Sequence, residues 1–175
     1  TNKSFDFFTG AVTATETEDS YGNIYESVST PAYQLKYDDN GNQVSRYPGM
    51  GLKANNPDNK HMLTQDGASY SYKKDPVTGN RLPMGGSVTT WNDTWDYWEY
   101  DDSDGWKILS QSQNTSQDKV WRKHKSYAWK SFTQPDGTID PNSFTEFDWT
   151  PGATQHQGWL KTEEITLYDH YSHPM

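Results

Sequence analysis

Carboxylates are the most abundant candidates for chemistry in this sequence. Asp101, Asp102 and Asp104 crowd one turn, and Asp38 and Asp39 crowd another. A glycosidase needs two carboxyls about 5–10 Å apart across a substrate cleft. Neighbours at a hairpin tip do not stand that way and read as solvated turn residues. The same turns approach a calcium loop, in which alternating Asp and Asn ahead of a Gly supply oxygen ligands. Here the first ligand position falls on Tyr100 in one loop and on Lys36 in the other, and neither loop is followed by the required Glu. Of the histidines (His61, His124, His156, His170 and His173), only His170 and His173 cluster, beside Asp169. An i, i+3 pair is a weak metal pattern without a third ligand, and on a strand the two side chains face opposite sides. Cysteine is absent, as is a Gly-x-Ser-x-Gly elbow, and the glycine pair in Met84-Gly85-Gly86-Ser87 lacks a phosphate-loop lysine. The expectation is a protein that is not an enzyme and uses no metal and no cofactor.

Tryptophan offers a different chemistry. Trp91, Trp95, Trp98 and Trp106 gather in one stretch with Tyr97 and Tyr100. Exposed, coplanar rings stack on the C–H faces of sugars, so Trp91, Trp95, Tyr97, Trp98 and Trp106 form a candidate glycan-binding set. The competing and favoured reading makes most of these rings the core, because few other apolar side chains exist. Strand alternation puts Trp95 and Tyr97 on one face and Trp98 and Tyr100 on the other, which fits a strand covered on both sides or a core plus an outer patch.

Composition sets the frame for both readings. Among 175 residues, Leu, Ile, Val and Phe together number 23, below the ~20% share at which disorder becomes the default expectation. Yet 12 Tyr, 8 Trp and 6 Phe are present, and disordered chains are poor in aromatics. A core of rings resolves the conflict, since each can bury about 150–250 Å². The net charge of −9 removes the electrostatic attraction on which nucleic-acid binding rests, and it disfavours anionic membrane surfaces. No apolar run reaches the ~18 residues that a membrane-spanning helix requires.

The elements that must position these residues read as β throughout. Helical periodicity is nearly absent; in 119–130 the alternation of Tyr127 and Trp129 favours a strand. Short runs of Tyr, Trp, Thr and Val are broken by Asn40-Gly41, Asp66-Gly67, Asp104-Gly105 and Asp136-Gly137, and by turns at Tyr21-Gly22-Asn23 and Thr78-Gly79-Asn80. Asn-Gly and Asp-Gly accept the positive φ of tight hairpin turns. One expected hairpin runs 33–37, turns at Asn40-Gly41 and returns over 44–47. A second runs 87–100, turns at Asp104-Gly105 and returns over 106–109. A further arm carries Phe144, Phe147 and Trp149, while 48–60 and 111–117 read as long loops. The expected fold class is all-β: successive antiparallel hairpins, rich in aromatics, forming an extended, curved sheet. Residues 1–175 are expected to be a single β-hairpin region, an internal piece of a longer chain.

These turns carry a resemblance. Tyr37-Asp38-Asp39-Asn40-Gly41-Asn42 resembles the Tyr-Asp-x-x-Gly signature of YD repeats, the units of Rhs-type proteins. Asp75-Pro76-Val77-Thr78-Gly79-Asn80-Arg81-Leu82 is similar to the related Asp-Pro-x-Thr-Gly-Arg-Leu form. Phe5 to Val12 followed by Asp19-Ser20-Tyr21-Gly22-Asn23 resembles a third pair, and Tyr100-Asp101 to Gly105 a fourth with one residue inserted. Tyr168-Asp169 begins another. In such a unit the Tyr packs, the Asp caps the turn, and the Gly takes the positive φ. Spacing departs from a plain repeat: the interval from Gly41 to Gly79 is twice that from Gly22 to Gly41, but Gly105 is out of step.

The resemblance implies a β-sheet shell segment of a large bacterial protein, secreted or at the cell surface, sometimes enclosing a toxin or acting as an adhesin. Its implied partners are the remainder of the parent chain and neighbouring surface or secretion proteins, with glycans as the alternative. The family's self-cleaving core motif is absent, so the resemblance implies no catalytic residue.

Overall fold

A computed structural model of the chain describes residues 1–95, 97–109, 121–130, 144–154, 156 and 158–169; for 97–99, 108–109 and 169 it describes the backbone alone. Among the described residues twelve strands form three sheets. The strands are β1 (Asn2–Phe5), β2 (Val12–Glu18), β3 (Ile24–Pro31), β4 (Lys36–Asp39), β5 (Asn42–Ser45), β6 (Asp66–Lys74), β7 (Arg81–Asn92), β8 (Tyr97–Asp101), β9 (Gly105–Leu109), β10 (Arg122–Lys130), β11 (Leu160–Glu164) and β12 (Tyr168–Asp169). The main sheet runs β1-β2-β3-β6-β7-β10-β11, all antiparallel. β4 and β5 pair as a separate hairpin, and β12, β8 and β9 form a third, small sheet. The expected all-β, hairpin-built class is the observed one, and among the described residues no helix is long and apolar enough to cross a membrane.

Register sorts the side chains of the main sheet onto two unlike faces. Cross-strand partners Ala14, Val28, Tyr70, Gly86 and Trp129 form one row, and Thr30, Ala68, Val88 and Tyr127 the next. These rows floor the core, which Leu35, Tyr47, Met50, Phe147 and Trp159 cover from loops. Rings supply most of it, meeting edge-on: Tyr70–Phe144 at 6.0 Å, Trp129–Phe144 at 4.9 Å, Phe147–Trp159 at 5.4 Å. Gly86 is the seat for one of them, since a Cβ there would lie 2.8 Å from the Trp159 ring. At the end of this face, Arg81 grips the buried Glu26 through Nε (2.5 Å) and a terminal nitrogen (2.6 Å). The opposite face is a field of hydroxyls: Thr15, Ser27, Ser71; Ser29, Ser69, Ser87; Thr89, Ser126.

Among the described residues the turn chemistry acts as the sequence suggests, with one exception. Asn40 (φ 54°) and Gly41 (φ 86°) both occupy the left-handed region, and Asp38 Oδ1 accepts from Gly41 N at 3.0 Å. Residues 6–11 and 75–80 close the same loop twice. In each, the Asp carboxylate accepts from two backbone N–H groups, at 2.7–3.0 Å and 2.7–2.8 Å respectively. The Gly N–H then returns to the Asp carbonyl at 2.9 Å in both. Asp19 and Asp101 cap their turns likewise. Asp66-Gly67 is the exception, because it starts β6 rather than turning. Gly67 is required by close approach, since a Cβ would lie 2.6 Å from both Thr30 O and the Leu35 side chain.

Three other expectations are corrected. The run 87–100 is not one arm: β7 ends at Asn92 and belongs to the main sheet, whereas β8 belongs to the small one. Trp95 breaks the run by turning inward, its indole N–H donating to Asn92 O at 2.7 Å. Residues 144–149 form no strand; they cross the core face, where their rings bury without a ladder partner. Tyr33 and Gln34 lie in a short 3-10 turn (Ala32–Gln34) ahead of β4. The long loop over 48–60 is observed, while 111–117 and Asp136-Gly137 lie outside the described residues.

Candidate functional site

Trp91, near the end of β7, separates two clefts. Its ring is fixed by an indole N–H bond to Asp66 O (2.8 Å), and its backbone N–H donates to the Tyr47 hydroxyl (3.2 Å). The first cleft, about 220 Å³, lies between β7, β10, Arg46, residues 147–154 and His156. The second, about 480 Å³, is lined by Gln65, Trp121, Arg122, Glu163 and Tyr168.

A bulge builds the first cleft. On β10, Lys123 pairs with Trp91 and Lys125 with Thr90, so His124 is an extra residue in the ladder. Such an insertion bends a strand and re-aims its side chains. Thr90 Oγ1 accepts from Lys125 N (3.1 Å), and the His124 carbonyl accepts from Ile165 N (2.8 Å). Both His124 and Lys125 line the cleft. Across from them, His156 stacks on Phe147, ring centroids 3.9 Å apart and planes 14° from parallel, and its edge meets Tyr127 at 4.9 Å. Phe147 in turn packs on Trp149 at 4.7 Å. The Arg46 guanidinium sits over the Tyr47 ring, 4.9 Å from its centroid.

Burial favours the neutral form of both imidazoles. Burial lowers the His156 pKa from its ordinary value; Asp148 opposes this and Lys125 reinforces it. Burial likewise lowers that of His124, with Lys125 adding to the effect and Glu164 opposing it. Asp148 stays ionised, its pKa lowered chiefly by the backbone N–H of Thr150, 2.9 Å from Oδ1. A neutral imidazole offers one donor and one acceptor. The cleft therefore combines fixed rings, amphoteric nitrogens and a guanidinium, a set suited to holding a polar ring compound.

The second cleft is shallower in chemistry. Trp121 N–H donates to Pro48 O at 3.1 Å, and its ring meets Tyr47 edge-on at 5.1 Å. Lys123 pairs with Glu163 at the rim. The Gln65 side-chain oxygen is buried there without a hydrogen-bond partner.

The residues singled out in the sequence fall in several places. Trp91 lines both clefts. Trp95 does not: it is 5% exposed and packs on Tyr168 at 4.9 Å and His124 at 5.4 Å. Trp106 and Tyr100 are exposed cross-strand partners on β9 and β8, rings 5.4 Å apart, away from either cleft. The side chains of Tyr97, Trp98 and Asp169 lie outside the described residues. Tyr37 sits opposite Val44 in the β4–β5 hairpin, and Tyr168 is buried with its hydroxyl donating to Lys123 O at 2.5 Å. Capping residues Asp38, Asp75 and Asp101, with Gly41, Gly79 and Gly105 at positive φ, hold the turns rather than a ligand site. Sequence reading passed over Arg46, His124, Trp149 and His156 as a group, because no local spacing links them. Set against known proteins, the chain stands apart: no family model, curated protein or solved structure matches it.

Proposed function

We propose that the chain is a non-enzymatic structural segment of a large exported YD-repeat, Rhs-like protein, forming β-sheet and contacting neighbouring chains at the bacterial surface or in the medium. The carrying observation is the recurrence of one turn design. An Asp caps backbone N–H groups and a positive-φ Gly closes the reversal at 6–11, 19–23, 75–80 and 101–105. Repetition of such hairpins builds a sheet in which each unit leans on its neighbours. The edge strands β1 and β11 each pair on one side among the described residues, leaving backbone groups for a further strand. Sequencing the encoding gene on both sides tests this reading. Further Tyr-Asp-x-x-Gly turns are expected, and an open reading frame without them overturns it.

A second reading, a glycan-binding or adhesin module, is favoured by the ring-lined clefts beside Trp91. Its aromatic platform is Trp91 with Trp121 and Trp149 in place of the 91–106 run, because Trp95 is core. Oligosaccharides that quench the tryptophan fluorescence of the chain support it; silence across a broad glycan panel removes it.

A further inference from the structure

The first cleft departs in charge from the protein that surrounds it. The chain as a whole carries −9, yet this cleft is lined by the cations Arg46 and Lys125 and two imidazoles, with Asp148 the one acid in its lining. Lys125 is occupied by Glu164 at 3.2 Å, and Asp148 by the Thr150 N–H. Arg46 makes no ion pair among the described residues; its one charge contact is the face of Tyr47. A guanidinium held over a ring is oriented, and its planar fork matches a carboxylate through two parallel bonds.

Shape narrows the ligand further. At about 220 Å³ the cleft is below the ~300–1,000 Å³ usual for drug-sized ligands, so it holds one ring rather than an extended chain. Trp91 and Trp149 supply apolar walls against which the C–H face of a sugar packs. Thr154 and the imidazoles supply partners for its hydroxyls.

We propose that this cleft is a subsite for a carboxylate-bearing sugar of the uronic-acid class, with Arg46 taking the carboxylate and Trp91 and Trp149 the ring. The proposal rests on the glycan-binding reading above and names the substrate class for it. A neutral sugar would leave the Arg46 guanidinium with the Tyr47 ring as its one charge contact among the described residues.

The test uses the whole chain and two probes of equal length, oligogalacturonate and the uncharged galactose oligomer, titrated by calorimetry and tryptophan fluorescence. The uronate is expected to bind at least about tenfold more tightly, and Arg46→Gln to remove that preference. Circular dichroism establishes that the variant folds; if it does not, the discrimination by the unsubstituted chain decides alone. Equal binding of both probes overturns the uronate subsite and leaves the glycan reading standing. Binding of neither overturns both.

Discussion

The two faces of the main sheet are built from the same strands by opposite rules. One carries Tyr70, Trp129 and Tyr127 under a roof of loops, and the other carries Ser29, Ser69 and Ser87, which are exposed and line an open cleft with Thr9, Val12 and Gln65. The difference explains how a chain so poor in aliphatics folds. A single covered face needs only a thin core, and Tyr, Trp and Phe rings meeting edge-on at about 5–6 Å fill it. Stability should therefore be concentrated on one side.

The sharpest way to break this asymmetry is to remove a ring from the covered face. Trp159→Ala takes away the indole that seats on Gly86 and donates to Thr145 O at 2.9 Å. A loss of about 3–5 kcal/mol is expected, read by urea denaturation. A loss below ~1 kcal/mol would mean that the ring layer is not the core.

Gly67→Ala should follow, at about 1–3 kcal/mol from overpacking. Its new methyl would meet the carbonyl of Thr30 and the side chain of Leu35 at 2.6 Å. Gly41→Ala, with open space around the new methyl but φ at 86°, should cost about 1–2 kcal/mol through backbone strain alone. If the two variants unfold at reversed positions in the same denaturant series, close approach is not what Gly67 provides.

Asp6 gives a dependence on pH. Burial pushes its carboxyl upward, but hydrogen bonds from Tyr33, Thr9 and Phe8 outweigh that and hold its pKa below the ordinary value. The folded pKa lies below the unfolded one, about 3.9. The stability it contributes is complete above that pH and is lost as pH falls through the folded value. Thermal midpoints of the Asp6→Asn variant should consequently fall less steeply than those of the parent between pH 5 and pH 2, as measured by circular dichroism.

The smallest effect belongs to the hydroxyl face. Ser27→Thr and Ser69→Thr should change stability by no more than about 0.5 kcal/mol. Loss of 2 kcal/mol or more from either would show that this face is packed against something.

How far the sequence could be read depended on whether a feature was local. Asn40-Gly41 was legible because both residues take a left-handed φ that few others accept. Asp66-Gly67 presents a matching dipeptide chemistry and misleads, since its glycine answers to Thr30, Ala32 and Leu35, which only the fold brings near. The rings of 144–149 look like a strand because their spacing satisfies an alternating pattern, but burial there comes from crossing the sheet. The Arg46, His124 and His156 cleft was illegible for the same reason: a bulge in β10 and the path of a later loop unite it.

The sequence by itself determined the class, the places where the chain reverses and the need for a core of rings, because each follows from residue type or near-neighbour spacing. Tertiary structure decided which rings are core and which are free, why Trp95 is buried while Trp91 stands between two clefts, and where the cationic groups converge. Those outcomes depend on strand register, and a shift of one residue would carry every side chain of a strand to the other face.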